Sequence, residues 1–152
     1  MMSKQSVSEN SPPVCRDKGE MILKKTYTLE MNTEEAAVFH DVLSKEVKVL
    51  IDGYDPETGR EPGLNRQMGM DDLKNVLKRF DAIYKNTDKS YIMCLYGTEL
   101  TEIRRLLKRN ITSVEKEMAV MPDRYEKDSA ADIAHRRFDT LKTLFFQVQF
   151  RR

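Results

Sequence analysis

The sequence predicts an α+β fold, mainly helical, built from a tandemly duplicated strand-helix-helix unit with pseudo-two-fold symmetry and a small sheet. Three observations predict it. Residues 25–47, KTYTLEMNTEEAAVFHDVLSKEV, align without a gap on residues 89–111, KSYIMCLYGTELTEIRRLLKRNI, at an offset of 64. Lys25 then falls on Lys89, Tyr27 on Tyr91, Glu35 on Glu99 and Leu43 on Leu107, and the apolar register agrees even where the letters differ. A second anchor, RFDAI from Arg79 to Ile83, matches RFDTL from Arg137 to Leu141 at an offset of 58. Finally, each copy switches from alternating apolar residues to helical spacing, the change that separates a strand from a helix. One such unit exposes a strand edge and an apolar helix face, and two units can bury each other.

Residues 1–20 hold little to bury and read as a disordered tail. They also fit a non-native origin, since Lys18-Gly19-Glu20 directly precedes Met21 and can be encoded by a purine-rich run like a ribosome-binding site. Residues 21–152 then form a single domain of two repeats, 21–88 and 89–150.

The alternation of Leu23, Tyr27, Leu29 and Met31 with Lys24, Thr26, Thr28 and Glu30 predicts a half-buried strand. Asn32 or Thr33 caps the helix that follows, and Glu34 and Glu35 occupy its first turn, where the helix dipole favours anions. Ala36, Phe39, Val42, Leu43, Val47, Leu50 and Ile51 form its apolar stripe, and the helix runs to about Ile51. Residues 52–69 hold four of the six glycines and two of the five prolines, which predicts a loop with a tight turn around Pro56 to Gly59. Asp71 and Asp72 open a helix predicted over 70–86, with Leu73, Val76, Leu77, Phe80, Ile83 and Tyr84 facing inward.

The second copy opens with SYIMCLY, apolar on both faces and so a more buried strand. Thr98 is the expected cap of the next helix, with Glu99 in the first turn and Leu100, Ile103, Leu106, Leu107, Ile111, Val114 and Met118 as the stripe. Met121-Pro122-Asp123 breaks it. The last helix starts near Asp128 or Ser129 and runs to about Phe145. Residues 146–150, where Phe146, Val148 and Phe150 alternate, read either as helix or as a closing strand.

With 26 basic and 25 acidic residues the net charge is +1, which argues against both an acidic nucleic-acid mimic and a strongly basic DNA coat. The two cysteines, Cys15 and Cys94, cannot make a disulfide framework or a zinc motif. With no apolar leader and no long apolar run, the expected place is the cytoplasm of a bacterial or infected host cell. A two-stranded sheet is marginal alone, so it needs helices packed on it or extension by another subunit, and homodimerisation through the first strand is an expectation for that reason.

No nucleophile, phosphate-loop or metal motif is present, so the reading is a non-enzymatic protein with no cofactor. His40 and His135 lack an orienting partner visible in sequence and read as boundary residues. Asp52, Asp55 and Glu57 resemble a fragment of a calcium loop, but Tyr54 and Pro56 break the alternation. The candidate partner-binding residues are Tyr54, Arg60, Asn65 and Arg66, on the glycine-rich segment; the same segment also reads as a plain connector. Arg104, Arg105, Lys108 and Arg109 form a candidate basic patch whose first-copy counterparts are His40, Asp41, Ser44 and Lys45; it also reads as a solvated helix face. Arg136, Arg137, Arg151 and Arg152 would widen it if the helices adjoin. Tyr27 and Tyr91 line a pseudo-symmetric pocket or belong to the core.

The run YTLEMNTEEAAVFHDVL resembles a pattern in small proteins of bacteriophages and mobile elements: a short strand, a Thr-x-Glu-Glu capped helix and a second helix. The resemblance implies a prokaryotic or phage setting. The expected function is therefore an accessory protein that engages a host or phage protein and inhibits or modulates it, as inhibitors of host defence do. The alternatives are a small-ligand binder holding a phosphate-bearing nucleotide, and a nucleic-acid binder using the basic helix face. If there is a site, it is expected where the two copies differ.

Overall fold

The computed structural model describes residues 26–85 and 89–149. The expectations for residues 1–20, for the start of the first strand and for Phe150, Arg151 and Arg152 lie outside them. The first unit runs β1 (Thr26–Asn32), α1 (Thr33–Asp52), α2 (Leu64–Met68) and α3 (Met70–Ile83). The second runs β2 (Ser90–Tyr96), α4 (Gly97–Ala119) and α5 (Ala130–Gln149). The fold is mostly helical with a two-stranded antiparallel sheet, and its packing pattern is consistent with a duplicated strand-helix-helix motif.

The strand register displays the duplication. Leu29 lies opposite Met93, its own equivalent in the second copy. Tyr27 faces Leu95 and Met31 faces Tyr91, which are again exchanged pairs of equivalents. A two-fold rotation through the Leu29–Met93 pair therefore interchanges the strands. Leu29, Met31, Tyr91, Met93 and Leu95 are buried on the helix side of the sheet. On the other side, Thr28 and Glu30 are exposed, whereas Ile92, Cys94 and Tyr96 are half-buried, which fits the more apolar second strand.

Each helix after a strand starts the same way. The Asn32 side chain accepts from the Glu35 N–H at 2.7 Å, and the Glu35 carboxylate accepts from the Asn32 N–H at 2.9 Å. This reciprocal box satisfies two of the free donors at the helix start. In the second copy the Glu99 carboxylate accepts from the Tyr96 N–H at 3.0 Å. The expected cap at Thr98 is thus corrected: the N-cap is Tyr96, the counterpart of Asn32, because the chain leaves the strand directly into the helix at Gly97.

Two further expectations change. The last helix continues to Gln149, so the closing-strand alternative does not hold for residues 146–149. Leu141, Leu144 and Val148 are buried at helical spacing, while Phe146 stays exposed. The glycine-rich loop holds the short helix α2, too brief to show periodicity in sequence. The expected tight turn is present: the Asp55 N–H donates to the Arg60 carbonyl at 2.8 Å, and Gly59 adopts φ +70°, which favours a residue without a Cβ. The second helix of that unit stops at Ile83 because Tyr84 turns extended.

The second helix of each unit also packs on the other unit: α3 on α1 and α4, α5 on α4 and α1. It meets the outer edge of the other unit's strand as well. The Gln147 amide of α5 accepts from the Glu30 N–H at 3.0 Å and donates to the Glu30 carbonyl at 2.6 Å. Arg79 of α3 donates to the Cys94 carbonyl at 2.8 Å, and Cys94 is the counterpart of Glu30. A second subunit adding to β1 at Glu30 would have to displace Gln147. The core is one cluster drawn from both units, with Phe39 and Phe80 edge-to-face at 5.2 Å in its first-unit half.

Phe80→Ala is expected to cost about 3–5 kcal/mol in urea unfolding, against about 0.5 kcal/mol or less for Phe146→Ala. Gln147→Glu removes a donor and sets a carboxylate against the Glu30 carbonyl. Because both hydrogen bonds are exposed, it is expected to lower stability by about 0.5–1.5 kcal/mol in the same assay.

Candidate functional site

The two copies differ most where α1 meets the long connection. Glu46 lies on the inward stripe of α1, among Val42, Leu43, Val47 and Leu50, and is buried. A carboxylate there needs cations. Arg66 of α2 supplies a paired contact: Nη2 donates to Glu46 Oε1 at 2.6 Å and Nε to Oε2 at 3.0 Å. The third side of the same guanidinium donates from Nη1 to Asp55 Oδ2 at 2.9 Å. Arg109 of α4 donates to Glu46 Oε2 at 2.8 Å. Two buried carboxylates and two arginines thus neutralise one another, joining α1, the turn, α2 and α4. Asp55 also accepts from the Glu57 N–H at 2.9 Å, which fixes the turn from inside.

These contacts set the ionisation. Burial acts to raise the Asp55 carboxyl, but hydrogen bonds from Arg66 and the Glu57 N–H outweigh it and hold Asp55 below its ordinary value. The Glu46 carboxylate raises the Arg66 guanidinium, with Asp55 adding to the effect. Burial lowers Arg109, and the neighbouring Arg66 charge adds to this against the pull of Glu46.

Of the candidate partner-binding residues, Tyr54, Arg60 and Asn65 are exposed, whereas Arg66 is held inside the network. Arg66 therefore positions the loop, and its guanidinium faces inward. The Arg60 guanidinium and the Asn65 amide have no partner among the described residues. On the same segment Leu64 is 71% exposed, Met68 72% and Tyr54 52%, and Ile51, expected on the inward stripe of α1, is instead 60% exposed, because it follows the buried Leu50 by one residue and so points to another face of the helix. Half of the exposed large apolar side chains among the described residues belong to this one segment.

The basic patch divides. Arg109 is bound to Glu46, Arg105 pairs with Glu102 at 3.0 Å, and Arg104 donates to the Val148 carbonyl at 2.6 Å near the end of α5. Lys108 is exposed. Arg136 pairs with Asp128 and Asp132, and Arg137 reaches Asp41 at 2.8 Å, so neither widens the patch as a free charge. The structure does join the loop set and the patch at one point: Arg66 and Arg109 share Glu46.

Tyr91 is buried against Phe80 and Tyr84, and its hydroxyl accepts from the Lys85 N–H at 3.1 Å. Tyr27 sits four strand positions from the residue opposite Tyr91, so the equivalent tyrosines stand roughly 13 Å apart along the sheet. His40 does have an orienting partner, Asp81 Oδ1 at 2.7 Å from Nε2, and it stacks on Tyr84 with ring centres 4.9 Å apart. His135 Nδ1 lies 2.8 Å from the Ala131 carbonyl, with Tyr125 stacked on the ring. Asp52 pairs with Lys48, and Asp55 with Arg66.

The sequence shows neither the burial of Glu46 nor the partner of Glu99, which it places only in the first turn of α4. Glu99 accepts two hydrogen bonds from Arg79, at 2.8 and 2.6 Å, and Arg79 lies over the Tyr96 ring at 5.1 Å. The available signal was a lone acid at stripe spacing: Glu46 follows Val42 by four and precedes Leu50 by four.

Arg66→Met would leave Glu46 and Asp55 buried without their main cation, and is expected to cost about 3–5 kcal/mol in chemical denaturation. Asp55 adds a pH dependence. Its folded value is lowered, so its contribution is complete above the ordinary 3.8 and is lost as pH falls through the lower folded value. Stability measured across that acid range is expected to fall less steeply in Asp55→Asn than in the parent chain. Comparison with protein-family models, curated proteins and solved structures found no match.

Proposed function

We propose that this chain is a non-enzymatic protein-binding module, an accessory protein of a phage or mobile element that engages a host protein through residues 51–68 and modulates it. One observation supports this reading most. Ile51, Tyr54, Leu64 and Met68 are exposed on a segment that the Glu46–Arg66–Asp55–Arg109 network holds in place. Exposed apolar residues grouped on a fixed frame suit recognition, because little ordering entropy is lost on binding. The Arg60 and Asn65 side chains add polar groups beside them. The phage setting rests on the resemblance of residues 27–43.

The test is affinity capture from host lysate with mass spectrometry, comparing the parent chain with Leu64→Ser/Met68→Ser and with Arg60→Glu. A specific protein is expected to be enriched by the parent and lost at least tenfold by the apolar double variant, with the melting temperature unchanged. Equal capture by all three chains would overturn this reading.

A further inference from the structure

The exposed segment flanks a cleft of about 490 Å³ whose lining includes Leu50, Asp52, Gly53, Glu61, Gln67 and Met70. We propose that this cleft receives a lysine or arginine side chain from an apolar-basic segment of the partner protein. The inference rests on the protein-binding reading and names the chemistry of the occupant.

The lining presents acceptors and no cation. It includes the C-terminal end of α1, where the dipole is negative and the last turn carries no basic residue. The Gly53 and Tyr54 N–H groups both go to the Val49 carbonyl, at 2.9 and 3.3 Å, so neither serves the three carbonyls that follow. The Gln67 amide donates from Nε2 to the Pro62 carbonyl at 2.6 Å, turning its donor side into the loop and leaving Oε1 as an acceptor. Glu61 is exposed, with no partner among the described residues. Among the described residues Asp52 pairs with Lys48 alone, at 3.1 Å, and both side chains are solvent-exposed, so that pair is weak and exchangeable.

Charge balance points the same way. Residues 52–68 carry Asp52, Asp55, Glu57 and Glu61 against Arg60 and Arg66. With Asp55 and Arg66 bound to each other, three carboxylates face one arginine. The apolar side chains of Leu50 and Met70 match the methylene stem of a long cationic side chain, whose head then reaches Asp52 and Glu61. Ile51, Tyr54, Leu64 and Met68 adjoin the lining residues in the chain and meet the apolar neighbours of that side chain. An anionic surface, whether a phosphate backbone or an acidic lipid, is repelled by the same carboxylates.

The experiment uses three short fluorescein-labelled peptides read by anisotropy: one alternating leucine with arginine, one alternating leucine with glutamate, and one alternating serine with arginine. Each is titrated with the full chain, with Asp52→Lys/Glu61→Lys and with Leu64→Ser/Met68→Ser. The leucine-arginine peptide is expected to bind best, about tenfold tighter than either other peptide. Both double variants are expected to weaken it about tenfold, and the charge-reversed chain is expected to lose the salt dependence. Equal binding of the leucine-glutamate peptide, or no change on charge reversal, overturns the cationic occupant. If only the apolar variant weakens binding, the protein-binding reading stands without it; if no peptide binds more tightly to the parent than to the apolar variant, both fall.

Discussion

Placing Leu29 opposite Met93 constrains most of this molecule. Because these are equivalent residues of two copies, the packing of elements between the units recurs in related pairs, α1 on α5 and α4 on α3. Burying one face of a two-stranded sheet requires helices on it, and the antiparallel register places one helix pair from each copy there. The second helices then cross to the other unit, α3 toward α4 and α5 toward α1. The same crossing covers both strand edges, through Gln147 at Glu30 and Arg79 at Cys94. Edges closed this way no longer offer a free template at those positions.

Charge is where the copies have separated. Arg79 and Arg137 are equivalent and both reach across to the other unit, but to different residues. Arg79 takes Glu99, and Arg137 takes Asp41. The counterpart of Asp41 is Arg105, which would repel Arg79 and instead pairs with Glu102. Likewise the counterpart of Glu46 is Asn110, which donates to the Leu106 carbonyl of its own helix. Glu46 therefore draws Arg66 and Arg109 to one copy only. The long connection is fixed by a buried ionic network that the short one has no means to make, and its exposed side chains are held out by that frame.

Much of the architecture was legible because it depends on periodicity. Strand alternation, the helical stripes through Phe39, Leu43, Ile103 and Leu107, and the repeat offset are properties of residue order. So was the Pro56–Gly59 turn, which needs a left-handed residue at Gly59. Local competition was harder to read. Thr98 looks like a cap in isolation, yet the helix begins earlier at Gly97 because Glu99 already satisfies the Tyr96 N–H. The alternation of Phe146 and Val148 suits a strand, yet packing of Leu144 and Val148 in the core decides for helix.

The candidate site shows the same division. Residue order alone was enough to show that a glycine-rich connection and a cluster of arginines distinguish the copies, and that Tyr54 and Arg60 lie in a loop, whereas Asn65 falls in the short helix α2. Folding in three dimensions turns Arg66 and Arg109 inward to a shared carboxylate while Leu64 and Met68 turn outward. The physical reason is that a residue's exposure in a loop follows from long-range pairing. Glu46 lies 20 residues from Arg66 and 63 from Arg109. No local pattern reports a charge balance closed over that distance.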